Sequence, residues 1–420
     1  MALRDWDIVT RSVKARMFSS VTTIVTVAIA LALVTLLVSM KSSARDAFSR
    51  GTGNAQMLIS RDPSALTSVL NSLFYTDVPT NPIPWSDYEA LSGSYPFAFA
   101  EPTAMGDSYK GHYVVGVRQT YFVNFFPIAG QPFGLDEGRV FSDDFELVLG
   151  SEAQRMTGLR IGDEISIMHG APRSKGAHAH GEFVYEVVGV LEPTGSAHDR
   201  AMFSSLESAW VLHAFDRLLD EGVTLDRPMT RLDLEAQDKQ ITGVVASLGA
   251  RTAALNQILA RIGRDPNWTV AQPADTVRKL FSIVGSVDQI LIAMGIAVLL
   301  SSGVSIMVAL YNSMEQRRRQ IAILRVLGAS RWRVFNLVLT ESALIGLVGG
   351  ALGVVFGIVG GRVVSGVLEA RLGLVVEPAL PLPGYLGMIL VTIVLSMMAG
   401  IIPACVAYRT SVVRALRPMG

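Results

Sequence analysis

Four stretches of this chain are too apolar to be left in water. Met17 to Met40 holds 24 residues without a charge, and Gln289 to Met314 holds 26. Val334 to Gly361 is broken only by Glu341, and Ala379 to Tyr408 has no charge at all. About 20 apolar residues in a helix cross the hydrocarbon of a bilayer, and only a helix or a closed barrel satisfies its own backbone there. The pattern predicts four membrane-spanning helices, over 17–40, 283–312, 334–361 and 383–407. A cleaved leader has an apolar core of about 7–15 residues. The first run is longer than that, so it reads as a retained span.

Residues 41–282, between the first two runs, are of a different kind. They carry 21 basic and 29 acidic residues, and glycine and proline punctuate short apolar pieces. Ala98 to Val117, Glu146 to Leu149, Ile165 to Met168 and Phe183 to Val190 read as strands. Residues 201–221 and 252–262 read as helices, and a short helix starts near Trp85. This is a mixed α/β segment, large enough to bury a core without staples. The only cysteine, Cys405, sits in an apolar run, so neither a disulfide framework nor a cysteine zinc site is possible.

Charge orients the spans. Residues 1–18 hold four basic and two acidic residues, 312–335 hold six and one, and 408–420 hold three and none. Four spans put these three short segments on one side, and the positive-inside rule makes that side the cytoplasm. The reading is then a cytoplasmic segment over 1–16, a large extracytoplasmic domain over 41–282 and a cytoplasmic helix over 313–333. An extracytoplasmic loop follows over 362–382, and a cytoplasmic tail over 408–420.

The cytoplasmic stretch Met314 to Glu341 is the most telling. Ile321, Leu324 and Leu327 recur three apart with Ile323 beside them, which makes one stripe of a helix. Gly328 is placed to end that helix in a left-handed residue, and Ser330 to cap the next. A basic amphipathic helix bracketed by spans suits two jobs: anchoring on anionic lipid or docking a soluble partner. The run E-Q-R-R-R-Q-I-A-I-L-R-V-L-G-A-S, Glu315 to Ser330, resembles the cytoplasmic signature of FtsX/MacB-type ABC transporter permeases, whose coupling helix the ATPase subunit grips. Gly138-Arg139-Val140-Phe141, Val148 to Glu152, Gly162 to Ile165 and Val187 to Ser196 are similar, in order and rough spacing, to the periplasmic core domain of MacB-type permeases. That resemblance implies two lobes, a distal one over about 130–235 and a membrane-proximal one built from 42–129 and 236–282. It also implies a coupling site of Glu315, Arg317, Arg318, Arg319, Ile321, Leu324, Arg325, Leu327 and Gly328, with the apolar residues in a cleft of the ATPase and the arginines on its acidic rim. The tail from Pro403 through Arg409 to Ala415, Leu416 and Arg417 resembles the family's ending, with Val413 where a proline is usual.

No Gly-x-x-x-x-Gly-Lys-[Ser/Thr] occurs in these residues, and no lysine follows a glycine. Without that loop there is no cradle for phosphates, so ATP and Mg are expected on a partner ATPase, with no cofactor and no catalysis in this chain. In the third span Gly346 and Gly350 are four apart, as are Gly349, Gly353, Gly357 and Gly361. Small residues at this spacing let helix backbones approach closely; the partner helix is the first span, the fourth span or a second copy. Glu341 is an intramembrane acid near the cytoplasmic end, suited to snorkelling or to pairing with Arg333. His169, His178 and His180 frame a Gly/Ala-rich loop as weak metal-site candidates beside Glu182. There is no His-Glu-x-x-His, so a zincin protease is not supported, and no nucleophile–base constellation suggests a hydrolase.

The fold class expected is an α-helical membrane protein with four transmembrane helices and a large mixed α/β extracytoplasmic domain between helices 1 and 2. What the resemblance implies is the permease subunit of an ABC transporter in the bacterial inner membrane. It would transmit motion of a separate ATPase to its periplasmic domain, for export or extraction of a lipoprotein, lipid or periplasmic substrate. Implied partners are the ATPase, a second permease copy or related permease in a dimer, a periplasmic protein or lipoprotein, and membrane lipid; nucleic acid is not among them. The alternative is an ATPase-independent membrane sensor whose external domain binds a ligand or metal.

Overall fold

The computed structural model describes residues 17–128, 130–170, 178–179, 183–223, 227–372 and 379–409. The chain divides into two units, residues 1–44 with 284–420, and residues 45–283. Two helices carry residues of both: α1 (Met17–Gly51) and α8 (Pro273–Val326).

In the first unit lie α9 (Arg331–Leu372) and α10 (Leu382–Arg409) with the apolar parts of α1 and α8. Among the described residues these four helices are long and apolar enough to cross a membrane. Each overruns its expected span. In α8 no glycine or proline intervenes between Val304 and Leu327, so nothing stops the helix at the expected end of the second span. The basic segment continues it as its last turns.

The second unit contains β1 (Met57–Ser60), α2 (Ala65–Phe74), β2 (Ile83–Pro84), α3 (Trp85–Ser94), β3 (Phe99–Tyr109), β4 (His112–Val117), α4 (Thr120–Asn124), β5 (Leu135–Gly138), β6 (Glu146–Leu149) and α5 (Ser151–Thr157). It continues with β7 (Glu164–Ile165), β8 (Met168–His169), β9 (His178–Ala179), β10 (Tyr185–Leu191), β11 (Met202–Ser205), α6 (Leu206–Asp220), β12 (Gln240–Ile241), β13 (Gly243–Ser247), α7 (Leu255–Ile262) and β14 (Thr269–Ala271). The stretch expected as one strand over 98–117 is a hairpin: Lys110 and Gly111 both take positive φ, 45° and 96°, which suits a two-residue turn. The helix expected over 201–221 begins later, because Ser205 caps it by accepting from Ser208 N; the residues before it are β11.

Among the described residues one twelve-stranded sheet runs β14-β1-β13-β3-β4-β11-β6-β10-β5, with β7 on β10 and β8 joining β3 to β9. Along that path strands from the two ends of the segment form one half and strands from its middle the other, while β8 and β9 of the middle attach to β3. The halves meet where β4 and β11 pair in parallel, Val114 opposite Met202. The two lobes implied by the resemblance therefore share one continuous sheet. An aromatic core including Tyr121, Phe122, Phe125 and Phe203 packs on it, and α6 lays Leu206 and Trp210 against the β1 and β13 side chains. The last turn of α1 belongs to this unit. Phe48 packs on Phe74 and Phe281, with ring centroids 4.6 and 5.5 Å apart, and Arg50 Nε donates to Gly195 O at 3.0 Å.

Candidate functional site

The turn between α8 and α9 is built from the residues the sequence singles out. Gly328 has φ +97°. Its N–H donates to Arg325 O at 3.2 Å and that of Ala329 to Leu324 O at 3.0 Å, the paired bonds of a glycine-closed helix end. Ser330 then caps α9, accepting from Arg333 N at 3.1 Å. These bonds satisfy carbonyls and amides that would otherwise be orphaned.

The apolar residues of this segment divide between two faces. Ile321 is 6% exposed and packs with Met314, Val334, Val338, Ala404 and Ala407 of the same chain. Its side chain thus lies in a core cluster of the chain itself. Leu324 is half-buried. Ile323, Val326 and Leu327 face outward, Leu327 at 78% exposure, with Trp332 beyond the bend. Trp332 and Arg331 both lie against Tyr408, with the Trp332 and Tyr408 ring centroids 5.8 Å apart and the Arg331 guanidinium 5.8 Å from the Tyr408 ring centre. Arg325 is half-buried and already engaged by a neighbour. Glu315, Arg317, Arg318 and Arg319 continue α8, but their side chains lie outside the described residues, as does the tail beyond Arg409.

The two glycine ladders of α9 face two different helices. A Cβ on Gly349 would lie 2.8 Å from Val27 Cγ1, on Gly353 2.8 Å from Leu31 Cβ, and on Gly357 2.6 Å from Thr35 Cβ, all on α1. On Gly346 it would lie 2.6 Å from Ser396 Oγ, and on Gly350 3.5 Å from Thr392 Cβ, both on α10. Gly361 is also buried. The reciprocal ladder on α10, Thr392, Ser396 and Gly400, escaped sequence reading because only one of its members is glycine. Glu341 is 3% exposed and held in an interaction, so it does not snorkel to solvent.

In the second unit His169 meets residues that no motif links to it. Asp107 follows a bulge in β3. Gly106 in that bulge leaves room for the His213 ring, because a Cβ there would lie 2.7 Å from Nε2. β8 pairs with β3 so that His169 is opposite Asp107, and His178 is opposite His169 on β9. His169 Nδ1 is 3.1 Å from Asp107 Oδ1 and 3.4 Å from Asp216 Oδ2. His213 Nε2 is 3.5 Å from Asp107 Oδ2. Burial pushes the Asp107 carboxyl up, but the two imidazoles outweigh it and hold it well below the usual carboxylate range. The ligand atoms of Asp107, His169 and His213 all lie within 4.8 Å of one another. Asp216 adds a carboxylate one turn along α6 from His213. The His178 side chain and His180 lie outside the described residues. His213-Ala-Phe-Asp216 was the readable signal, since residues three apart on a helix share a face.

Residues 20–262 match the family model described as MacB-like periplasmic core domain, and residues 292–412 the model described as FtsX-like permease C-terminal. An uncharacterized ABC transporter permease of Methanocaldococcus jannaschii is 24% identical over 153 residues, 36% of this chain and 38% of that protein. The macrolide export ATP-binding/permease protein MacB of Marinobacter nauticus is 28% identical over 108 residues, 26% of this chain and 17% of that protein. The matched parts thus span less than two thirds of either relative. Among solved structures, the extracellular domain of the noncanonic ABC-type transporter YknZ from Gram-positive bacteria is 12% identical, covering 46% of this chain and 96% of that one at a TM-score of 0.24.

Proposed function

This chain belongs to the ABC transporter permeases with a MacB-like periplasmic core domain and an FtsX-like C-terminal part, and from that premise we propose that it is the membrane subunit through which a separate ATPase moves the soluble unit. The observation that carries the reading is the capped bend at Gly328, which presents Ile323, Val326 and Leu327 outward between two candidate spans. An exposed apolar edge flanked by arginines is what an interface core with a polar rim requires. Ile321 is left out of that edge, and Ile323 and Val326 join Leu327 in it. In this reading the bend and its arginines face the cytoplasm, as the basic charge of the short segments supports, and residues 45–283 work on the far side of the inner membrane. The work is export or extraction of a lipoprotein, lipid or other periplasmic substrate. Because both glycine ladders of α9 are occupied by helices of the same chain, a second permease docks on another face.

The test is co-purification from mild detergent with an ABC ATPase from the same cells. Val326→Asp with Leu327→Asp is expected to release the ATPase while the chain keeps its melting profile, since both residues are exposed and surface changes of this kind shift stability by only about 0.5 kcal/mol. Retention of the ATPase by that variant would remove the proposed edge from the interface.

A further inference from the structure

We propose that Asp107, His169 and His213 form a binding site for a divalent transition-metal ion of the zinc class, with the Asp216 carboxylate beside His169. A tetrahedral ion with bonds of about 2.0–2.1 Å to nitrogen and oxygen holds its ligand atoms about 3.3–3.4 Å apart. His169 Nδ1 lies 3.1 Å from Asp107 Oδ1 and His213 Nε2 3.5 Å from Asp107 Oδ2, near that value, and the ligand atoms of the three residues all lie within 4.8 Å of one another. The Asp107 carboxylate, with that of Asp216 beside His169, supplies negative charge for a dication. Two nitrogen donors disfavour magnesium and calcium, and the absence of thiolate disfavours copper(I). Asp107 is 3% exposed, and the buried His213 Nε2 faces its carboxylate at 3.5 Å without a hydrogen bond of good geometry. A buried polar atom left so is costly, and a coordinated ion removes that cost. The bulge at Gly106, which admits the His213 ring, is a device of the kind found where strands re-aim side chains at a site.

The ion would join β3 and β8 to α6, elements separated by 62 and 44 residues along the chain between Asp107 and His169 and between His169 and His213. Metal occupancy would thereby tie the β8–β9 hairpin to the helix beside it. Nothing in this depends on an ATPase, so the site stands or falls apart from the transporter reading.

The full chain in detergent micelles is stripped with a chelator, given zinc sulfate at neutral pH, passed over a gel-filtration column and analysed for metal. About one zinc per chain is expected to survive, and competition with a chelating dye gives its affinity. His169→Gln and His213→Gln are each expected to weaken binding at least about 100-fold, beyond the usual loss of an outer-shell partner. His178→Gln with His180→Gln is expected to leave it within a few-fold. Zinc-edge X-ray absorption of the unaltered chain reads the ligands with no variant involved, and scattering from two or more imidazoles is expected. An oxygen-only shell, no retained zinc, or an affinity that follows His178 and His180 while ignoring His213 would each overturn the assignment.

Discussion

Replacing Gly353 by alanine isolates the contact between α9 and α1. The added methyl would lie 2.8 Å from Leu31 Cβ and 2.9 Å from the backbone oxygen of Ala28. Carbon atoms rest about 3.5–4.0 Å apart, so the helices must part by most of an ångström. The oxygen belongs to a helical backbone and cannot rotate away. Overpacking of this kind costs about 1–3 kcal/mol. Alanine also gains up to about 1 kcal/mol over glycine from helix propensity, which would mask part of the loss. Gly360 supplies the control: it lies on the same helix, and a Cβ there meets nothing within 4 Å. Propensity cancels in the comparison, leaving Gly353→Ala less stable than Gly360→Ala by about 1–3 kcal/mol. Unfolding of both variants in mixed micelles titrated with sodium dodecyl sulfate, followed by circular dichroism, measures the difference. Equal midpoints would refute the close approach of these two helices.

Gly189→Ala in β10 is expected to cost more, about 3 kcal/mol or above, because its Cβ would run into the backbone oxygen of Arg139; limited proteolysis of residues 45–283 within the full chain reports it. Ile321→Ala is expected to lose about 2–4 kcal/mol as a buried side chain, against about 0.5 for Leu327→Ala, in the same micelle titration. His198 gives a pH dependence. Its Nδ1 is 2.7 Å from Tyr75 OH and its Nε2 3.1 Å from Gly51 O, and burial pulls its pKa down from 6.5 to about 4. The unfolded chain thus binds the proton first, so the stabilisation is complete above pH 6.5 and fades as pH falls toward 4. The loss is about 3 kcal/mol over that window, and thermal melts of His198→Gln between pH 7.5 and 4 are expected to lack that part of the slope.

The membrane part of this fold was legible because hydrocarbon allows so few solutions: uncharged runs mark helices whatever their neighbours. The bend was legible for a local reason, since Gly328 and Ser330 each act within one turn. What escaped was set by contacts distant in sequence. Nothing near Ile321 in the sequence announces that Val334 and Ala404 will pack against it. Lys110-Gly111 is a turn signal, but it sits inside an apolar stretch whose pattern matches one longer strand. The histidine loop drew attention to His178 and His180 by composition, whereas His169 finds its partners through sheet register, on β3, and through the packing of α6. Neither is local information. Gly138, Gly150 and Gly189 stood in the motifs because backbone from another segment passes within contact distance of each.

The most direct measurement is ATP hydrolysis by the partner ATPase in proteoliposomes, alone, with this chain, and with the chain carrying Val326→Asp and Leu327→Asp. Hydrolysis is expected to rise when the unaltered chain is present and to fall back to the rate of the ATPase alone with the altered one. A rate indifferent to the chain, or equally raised by both forms, would contradict the view that the bend at Gly328 is where the engine takes hold.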